Sequence, residues 1–106
     1  MSAVCFDPDA RAEFLAAIGY YEGCQPELGR RFRLAVEAEL IRIREMPFGF
    51  RVLHAPFRRC LVRKFPYAII FSIEPESIRI IAVAHTKRKP GYWHGRLNGH
   101  KATIRT

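Results

Sequence analysis

The stretch YAIIFSIEPESIRIIAVAH, residues 67–85, decides the fold class of this chain. It predicts two strands, 67–74 and 77–85, because both are rich in β-branched and aromatic residues and the Pro75-Glu76 pair places a turn between them. Both strands are apolar on both faces, so we expect them at the centre of a sheet. A connection this short joins antiparallel neighbours.

The residues on either side of this hairpin extend the sheet. Residues 58–65, RRCLVRKF, predict a third strand that alternates poorly between apolar and polar side chains and carries four cations. Segment 50–57 is either an edge strand or a loop, and residues 2–6 give a weak signal for a first strand. The polar, basic residues 98–106 are expected to form a tail, so that residues 1–97 make a single domain.

Two helices precede the strands. Residues 7–23 start with Asp7 as a cap and Pro8 in the first turn, and their apolar residues recur on one face. Residues 25–47 repeat apolar side chains at steps of three and four and end at Pro47. Since the loop between them is short, the helices form a hairpin. The predicted fold is α+β, with an N-terminal two-helix hairpin packed on a small twisted antiparallel β-sheet.

The charge of the chain is unevenly divided. The net charge is +8, but residues 51–106 hold 12 basic and 2 acidic side chains, so this half alone carries +10. Such a surface favours a polyanionic partner, which is nucleic acid, an acidic protein or, less often, a membrane surface. A soluble basic face without a partner is an equally weighted alternative on charge alone.

Composition indicates a folded protein of the cytoplasm. The 106 residues fit one domain, and a hydrophobic share of 49% is enough for a core. No stretch approaches the ~18–20 continuous apolar residues of a membrane span, and the first residues lack the pattern of a signal peptide. The three cysteines are far apart and form no CxxC pair. We therefore expect reduced, mostly buried thiols rather than disulfides or a zinc ribbon.

Several catalytic classes find little support. The four histidines are not part of an HExxH motif, no CxxC motif accompanies them, and the second half has almost no acidic ligands, so no metal site is expected. The same lack of acidic residues argues against the two catalytic carboxylates of a glycosidase. Without a P-loop or a GxGxxG motif, no cofactor is expected either. Cys60 and His85 could meet across strands, where flanking arginines would lower the pKa of the thiol, but packing is the commoner role of such a cysteine.

A second unusual stretch, HTKRKPGYW at residues 85–93, follows the last strand directly. Its three cations and two large aromatic residues are more than a connecting loop requires. Together with the cationic strand at 58–65, it could bind phosphates and cleave RNA without a metal if a tyrosine or histidine moved the proton. Tyr92 and Trp93 could stack on bases. A solvated sheet edge closed by these two aromatics explains the residues equally well.

The order of these segments resembles the RelE/ParE toxin superfamily of type II toxin–antitoxin modules over about residues 6–97. The resemblance rests on GYYE closing the first helix, the second helix LGRRFRLAVEAELIRIREMP, then VRKFPYAIIFSI and IRIIAVAHTKRKPGYWHGR. The pattern His-x-x-Arg-x-Pro-x-Tyr-Trp, which begins at His85, is similar to the branch described as plasmid stabilisation proteins.

The resemblance implies a toxin that inhibits growth when it is free of a co-encoded, acidic antitoxin, with which it forms a hetero-oligomer. RelE-like members cleave mRNA on the ribosome without a metal, whereas ParE-like members inhibit DNA gyrase and are not nucleases. A non-enzymatic nucleic-acid-binding module is the remaining alternative.

The resemblance also implies the site residues. RelE-like sites use basic residues on the middle strands, a basic residue after the last strand and a terminal tyrosine. The catalytic candidates in this chain are Arg63, Lys64, Lys87, Arg88 and Tyr92, and the nucleic-acid-binding candidates are Arg59, Arg79, Lys89 and Trp93. Ala68 departs from the pattern, because RelE-like sites have an arginine after the tyrosine that opens this strand. Arg79 or Arg88 would have to compensate for that missing cation.

Overall fold

Five strands form one sheet beneath two helices in the computed structural model, which describes residues 3–96. The strands stand in the order β1-β5-β4-β3-β2. Their bounds are Ala3–Phe6 for β1, Arg51–His54 for β2, Phe57–Leu61 for β3, Tyr67–Ile73 for β4 and Ser77–His85 for β5. The helices are α1, Pro8–Cys24, and α2, Leu28–Glu45, and a short 3-10 helix at Pro47–Gly49 leads into β2. The predicted tail at 98–106 lies outside the described residues.

The predicted fold class is confirmed, with one difference in the sheet. Strands β2 to β5 are antiparallel neighbours, but β1 pairs with β5 in parallel. Short connections make neighbours antiparallel, and no short connection joins β1 to β5, because both helices and three strands lie between them. The sheet is therefore mixed.

The third strand is shorter than predicted, and the difference moves two candidate site residues. β3 ends at Leu61, and the chain then turns, with the amide of Val62 donating to the carbonyl of Tyr67 at 2.9 Å. Lys64 has a φ of +69°, which an extended strand excludes. Arg63 and Lys64 thus lie in the β3–β4 loop. Segment 50–57, left open between strand and loop, contains the edge strand β2.

The two helices meet in a close junction that the sequence signals only partly. α2 starts at Leu28, later than the predicted start at residue 25, so Pro26 lies before the helix. The carboxylate of Glu22, near the end of α1, accepts from the amides of Glu27 and Gly29 at 3.0 Å each. It therefore satisfies backbone donors that open the second helix. Asp7 does stand at the N-cap of α1, but its side chain binds Arg79 instead of capping the helix.

Apolar side chains pack on both faces of the sheet. The main core lies between helices and sheet and includes Phe32, Ile69 and Phe71. A smaller cluster on the opposite face gathers around Ile70, Ile81 and Trp93. Among residues 3–96, no helix is both long enough and apolar enough to cross a membrane.

The prediction of mostly buried cysteines is wrong for two of the three. Cys5 and Cys24 are exposed, and only Cys60 is buried. Cys5 points outward from the edge strand β1, and Cys24 is the last residue of α1. The neighbours of Cys5 in β1, Val4 and Phe6, pack against the core instead.

Candidate functional groove

A groove of about 200 Å³ opens on the face of the sheet that is turned away from the helices. Its floor comes from β3, β4 and β5, and its far side comes from the residues that follow β5. The lining residues are Leu53, Arg59, Leu61, Ala68, Ile70, Ala84, His85, Thr86, Arg88, Lys89, Pro90, Gly91, Tyr92 and Trp93. We call it the groove, and residues 86–96 the C-terminal wall.

Small side chains create the depth of the groove. Ala68 of β4 stands directly opposite Ala84 of β5 in the register, and Leu61 of β3 is the other neighbour of Ala68. Opposite residues of paired strands project from the same face, so the two alanines leave a low area between the aliphatic chains around them. Ala68, where RelE-like sites carry a cation, is 5% exposed and gives the groove an apolar floor.

The C-terminal wall folds back over the sheet through a series of tight turns. The amide of Thr86 donates to the carbonyl of Pro66 at 2.8 Å, and the amide of Arg88 donates to that of His85 at 3.0 Å. Gly91 has a φ of +79°, and a side chain there would also meet the ring of His94 at 2.9 Å. The turn presents Trp93 to the sheet, where its ring packs 4.8 Å from that of Phe57.

Glu13 of α1 contacts three residues of this wall. Its carboxylate accepts from Tyr92 Oη at 2.7 Å, from both terminal nitrogens of Arg96 at 2.8 and 3.0 Å, and from Arg88 at 3.3 Å. It also accepts from the backbone amide of Val83 in β5 at 3.0 Å. The side chain is only 15% exposed. Burial would raise the pKa of Glu13, but the hydrogen bonds from Arg96, Tyr92 and Val83 outweigh it and hold the pKa below its usual value.

The same contacts decide the state of Tyr92 and Arg88. Burial, followed by the hydrogen bond to Glu13, raises the pKa of Tyr92 to about 12, so the phenol stays protonated at neutral pH. The guanidinium carbon of Arg88 lies 3.7 Å from the centre of the Tyr92 ring, which is a cation–π contact. Arg88 is thus shared between the carboxylate of Glu13 and this ring.

Five of the nine predicted site residues line the groove, and four do not. Those that line it are Arg59, Arg88, Lys89, Tyr92 and Trp93. Trp93 is 5% exposed and belongs to the apolar cluster of that face. Lys87 lies in the exposed turn after β5, and Arg63 and Lys64 lie in the exposed β3–β4 loop.

Arg79 lies far from the groove in the fold. It binds Asp7 at 2.6 Å and Glu74 at 3.2 Å, and its side chain is 12% exposed. Those contacts place it beside the start of α1, so it does not compensate for the missing cation at Ala68. The sequence does not distinguish Arg79 from the other basic residues. Of its two acidic partners, Asp7 lies 72 positions earlier in the chain and Glu74 lies just after β4.

A reactive role for the thiol of Cys60 is also not supported. The flanking arginines were expected to lower the pKa of the thiol, but burial, followed by the charge of Glu39, raises it to about 12. The thiol lies on the core side of β3, 3.5 Å from Glu39 Oε1. In the part of the chain that the structure describes, no group of three or more His, Cys, Asp or Glu side chains could hold a metal ion.

Sequence reasoning missed Glu13 and Arg96. Glu13 resembles a solvated helix residue, and Arg96 one more cation of a basic half. One signal points to Glu13 in retrospect. It follows Ala10 by three positions and precedes Ala17 by four, so these buried residues share its face and let α1 approach the sheet closely.

Comparison with known proteins supports the family. A family model described as the ParE toxin of the type II toxin–antitoxin system, parDE, matches residues 4–90. The chain belongs to the ParE toxin family. The predicted resemblance to the RelE/ParE superfamily is therefore confirmed, and the family that matches is ParE.

A solved structure shows the same fold. It comes from the chromosomal ParDE toxin–antitoxin system of P. aeruginosa and has a TM-score of 0.73 at 13% identity, covering 82% of this chain and 98% of the other. No curated protein sequence matches this member of the ParE family.

Proposed function

We propose that this ParE-family chain inhibits growth by binding DNA gyrase, with the C-terminal wall as its contact surface, and not by cutting RNA. The proposal rests on one observation: Tyr92 and Arg88 both donate hydrogen bonds to the carboxylate of Glu13. A phenol with a pKa of about 12 that already donates to a carboxylate is a poor proton acceptor at neutral pH. Ala68 adds no cation to the groove floor. What remains is a basic surface with the partly exposed ring of Tyr92, which is suited to contact with a protein.

We also propose that an acidic antitoxin neutralises the chain. The half that carries +10 attracts an acidic, partly disordered segment, whose charge complementarity offsets the entropy that it loses when it orders on the surface. The similar P. aeruginosa structure comes from a ParDE toxin–antitoxin system, which agrees with such a partner. Both gyrase and an antitoxin of this kind act in the cytoplasm.

A supercoiling assay with purified gyrase and the full-length chain tests the proposed target. We expect supercoiling to fall with rising toxin, and Lys89→Ala, a change on the exposed wall, to weaken the inhibition. Gly19→Ala is the matched control, because nothing lies within 4 Å of that position on α1. Full supercoiling at saturating toxin would exclude gyrase as the target.

A metal-independent, ribosome-dependent mRNA endonuclease is the second candidate. It is favoured by the convergence of Arg59, Arg88 and Lys89 on one groove beside His85. Toe-printing of mRNA on translating ribosomes distinguishes the two, because the endonuclease leaves cuts in the ribosomal A site. Such cuts, lost in Arg59→Ala, would replace the gyrase proposal with this one.

A further inference from the structure

The free edge of β5 needs a partner that β1 does not provide. β1 pairs with β5 only from Ser77 to Ile80, while β5 runs on to His85. The backbone groups beyond Ile80 on that side would face water or need another partner, and an unpaired edge is a place where a foreign strand could add.

Two side chains take the place of the missing strand. Glu13 accepts from the amide of Val83 at 3.0 Å, and Arg96 donates to the carbonyl of Ile81 at 2.9 Å. The two side chains also bind each other, at 2.8 and 3.0 Å. The pair therefore links α1, the edge of β5 and the C-terminal wall in one polar cluster.

We infer that Glu13 is a positioning residue which fixes the C-terminal wall on the edge of β5 and thereby sets where Arg88 and Tyr92 stand. The contacts of Glu13 reach three residues of the wall, whereas Trp93 fixes it only through apolar packing on the opposite face. Without the carboxylate, Arg88 and Arg96 lose the anion between them, and of the described acidic side chains Arg96 keeps only the exposed Asp9, at 3.7 Å. The hydroxyl of Tyr92 also loses its acceptor. The inference rests on the proposed function only in the effect of Glu13 on gyrase inhibition; the position of the wall does not depend on it.

The single tryptophan makes the position of the wall measurable. Trp93 is the only tryptophan of the chain and is 5% exposed, so its quenching by neutral acrylamide reports whether the wall is docked. The exchange rate of the Val83 amide, measured by NMR, reports the contact at the strand edge. Neither readout depends on what the toxin binds.

Glu13→Gln is the decisive variant, because it keeps the shape of the side chain but removes its charge and replaces one of its two acceptor oxygens by an NH2 donor. We expect stronger quenching of Trp93 and about tenfold faster exchange at Val83, in native buffer. Arg96→Gln, which removes the other half of the pair, should produce the same two changes, and the double variant should add little to either. If Glu13→Gln fails to fold, Arg96→Gln carries the test alone.

Glu37→Gln is the matched control. Glu37 is a similar glutamate on α2 that binds Arg33 at 3.1 Å, far from the wall in the chain and 46% exposed. It should leave both readouts unchanged. Wild-type quenching and exchange in Glu13→Gln and Arg96→Gln would overturn the inference.

The supercoiling assay then separates this inference from the proposed function. If Glu13→Gln undocks Trp93 and also loses gyrase inhibition, both proposals are supported. If it undocks Trp93 but inhibits gyrase as before, the anchoring role of Glu13 stands and the wall is not the gyrase contact.

Discussion

At the scale of single residues, Glu13 makes the free energy of unfolding depend on pH in the acidic range. Its pKa in the folded chain lies below the ordinary value of 4.5, because donors from Arg96, Tyr92 and Val83 outweigh the effect of burial. A carboxyl whose pKa is lowered by folding contributes stability above its unfolded pKa and loses it as pH falls through the folded pKa. The contribution is therefore complete at neutral pH.

Urea unfolding of Glu13→Gln tests this at two pH values. We expect the variant to be less stable than the wild type by about 1–2 kcal/mol at pH 7, since it loses hydrogen bonds to a charged group. The difference should begin to shrink as pH falls below 4.5 and should vanish as pH passes through the lowered pKa of the folded carboxyl, because the wild-type side chain then loses its charge as well. An equal difference at both pH values would show that the charge of Glu13 plays no part.

Cys60 also has a testable state. Burial and the neighbouring carboxylate of Glu39 raise its pKa to about 12, while Cys5 and Cys24 are exposed. A thiol reagent at pH 8 should therefore label two cysteines fast and the third only slowly, because the thiolate is the reactive form. All three should react fast in denaturant. Fast labelling of Cys60 in the native chain, read by mass spectrometry, would contradict the buried position of its thiol.

At the scale of secondary-structure elements, the junction of α1 and α2 depends on a glycine. A Cβ at Gly29 would lie 2.6 Å from the carbonyl oxygen of Ile18 and 2.9 Å from Cβ of Glu22. Backbone cannot move away as a flexible side chain can, so Gly29→Ala must push the helices apart or twist the first turn of α2. We expect a loss of about 1–3 kcal/mol in the free energy of unfolding.

Gly19→Ala provides the comparison for that prediction. Nothing lies within 4 Å of a Cβ at Gly19 in the middle of α1. Alanine there should stabilise the protein by about 0.5–1 kcal/mol, because it restricts the unfolded chain and favours the helix. Denaturant midpoints of the two variants should therefore move in opposite directions. A common direction would mean that helix propensity, and not the close approach at Gly29, governs both positions.

The elements themselves were largely predictable, whereas their side-chain partners were not. The helices and the pair 67–74 and 77–85 follow from apolar periodicity and turn residues, which are local signals. The end of β3 at Leu61 depends on a backbone hydrogen bond between Val62 and Tyr67, for which the sequence gives no sign. The position of the groove was predicted in outline, because Arg59 and residues of the stretch 85–93 line the same groove. Glu13 was not, since its partners lie about 70 to 83 positions further along the chain.

At the scale of the whole molecule, the excess of positive charge separates two kinds of binding. The second half carries +10, so weak and sequence-independent attraction to DNA and RNA is expected whatever the toxin does. Such binding weakens steeply as salt rises, because each phosphate contact releases counterions. Contact with a protein that uses few cations of the wall, such as Lys89, releases far fewer counterions and therefore depends on salt less.

This difference gives a prediction that the nucleic-acid-binding alternative does not share. We expect the affinity of the chain for random duplex DNA to fall steeply between about 50 and 200 mM salt. With several phosphate contacts, the loss of affinity over this range should be about a hundredfold or more. Arg63→Ala and Lys87→Ala, both at exposed positions, should each reduce the salt slope by about one. Inhibition of gyrase should persist at a salt concentration where DNA binding is lost. If inhibition and DNA binding disappear together as salt rises, the chain acts by coating nucleic acid and the gyrase proposal is wrong.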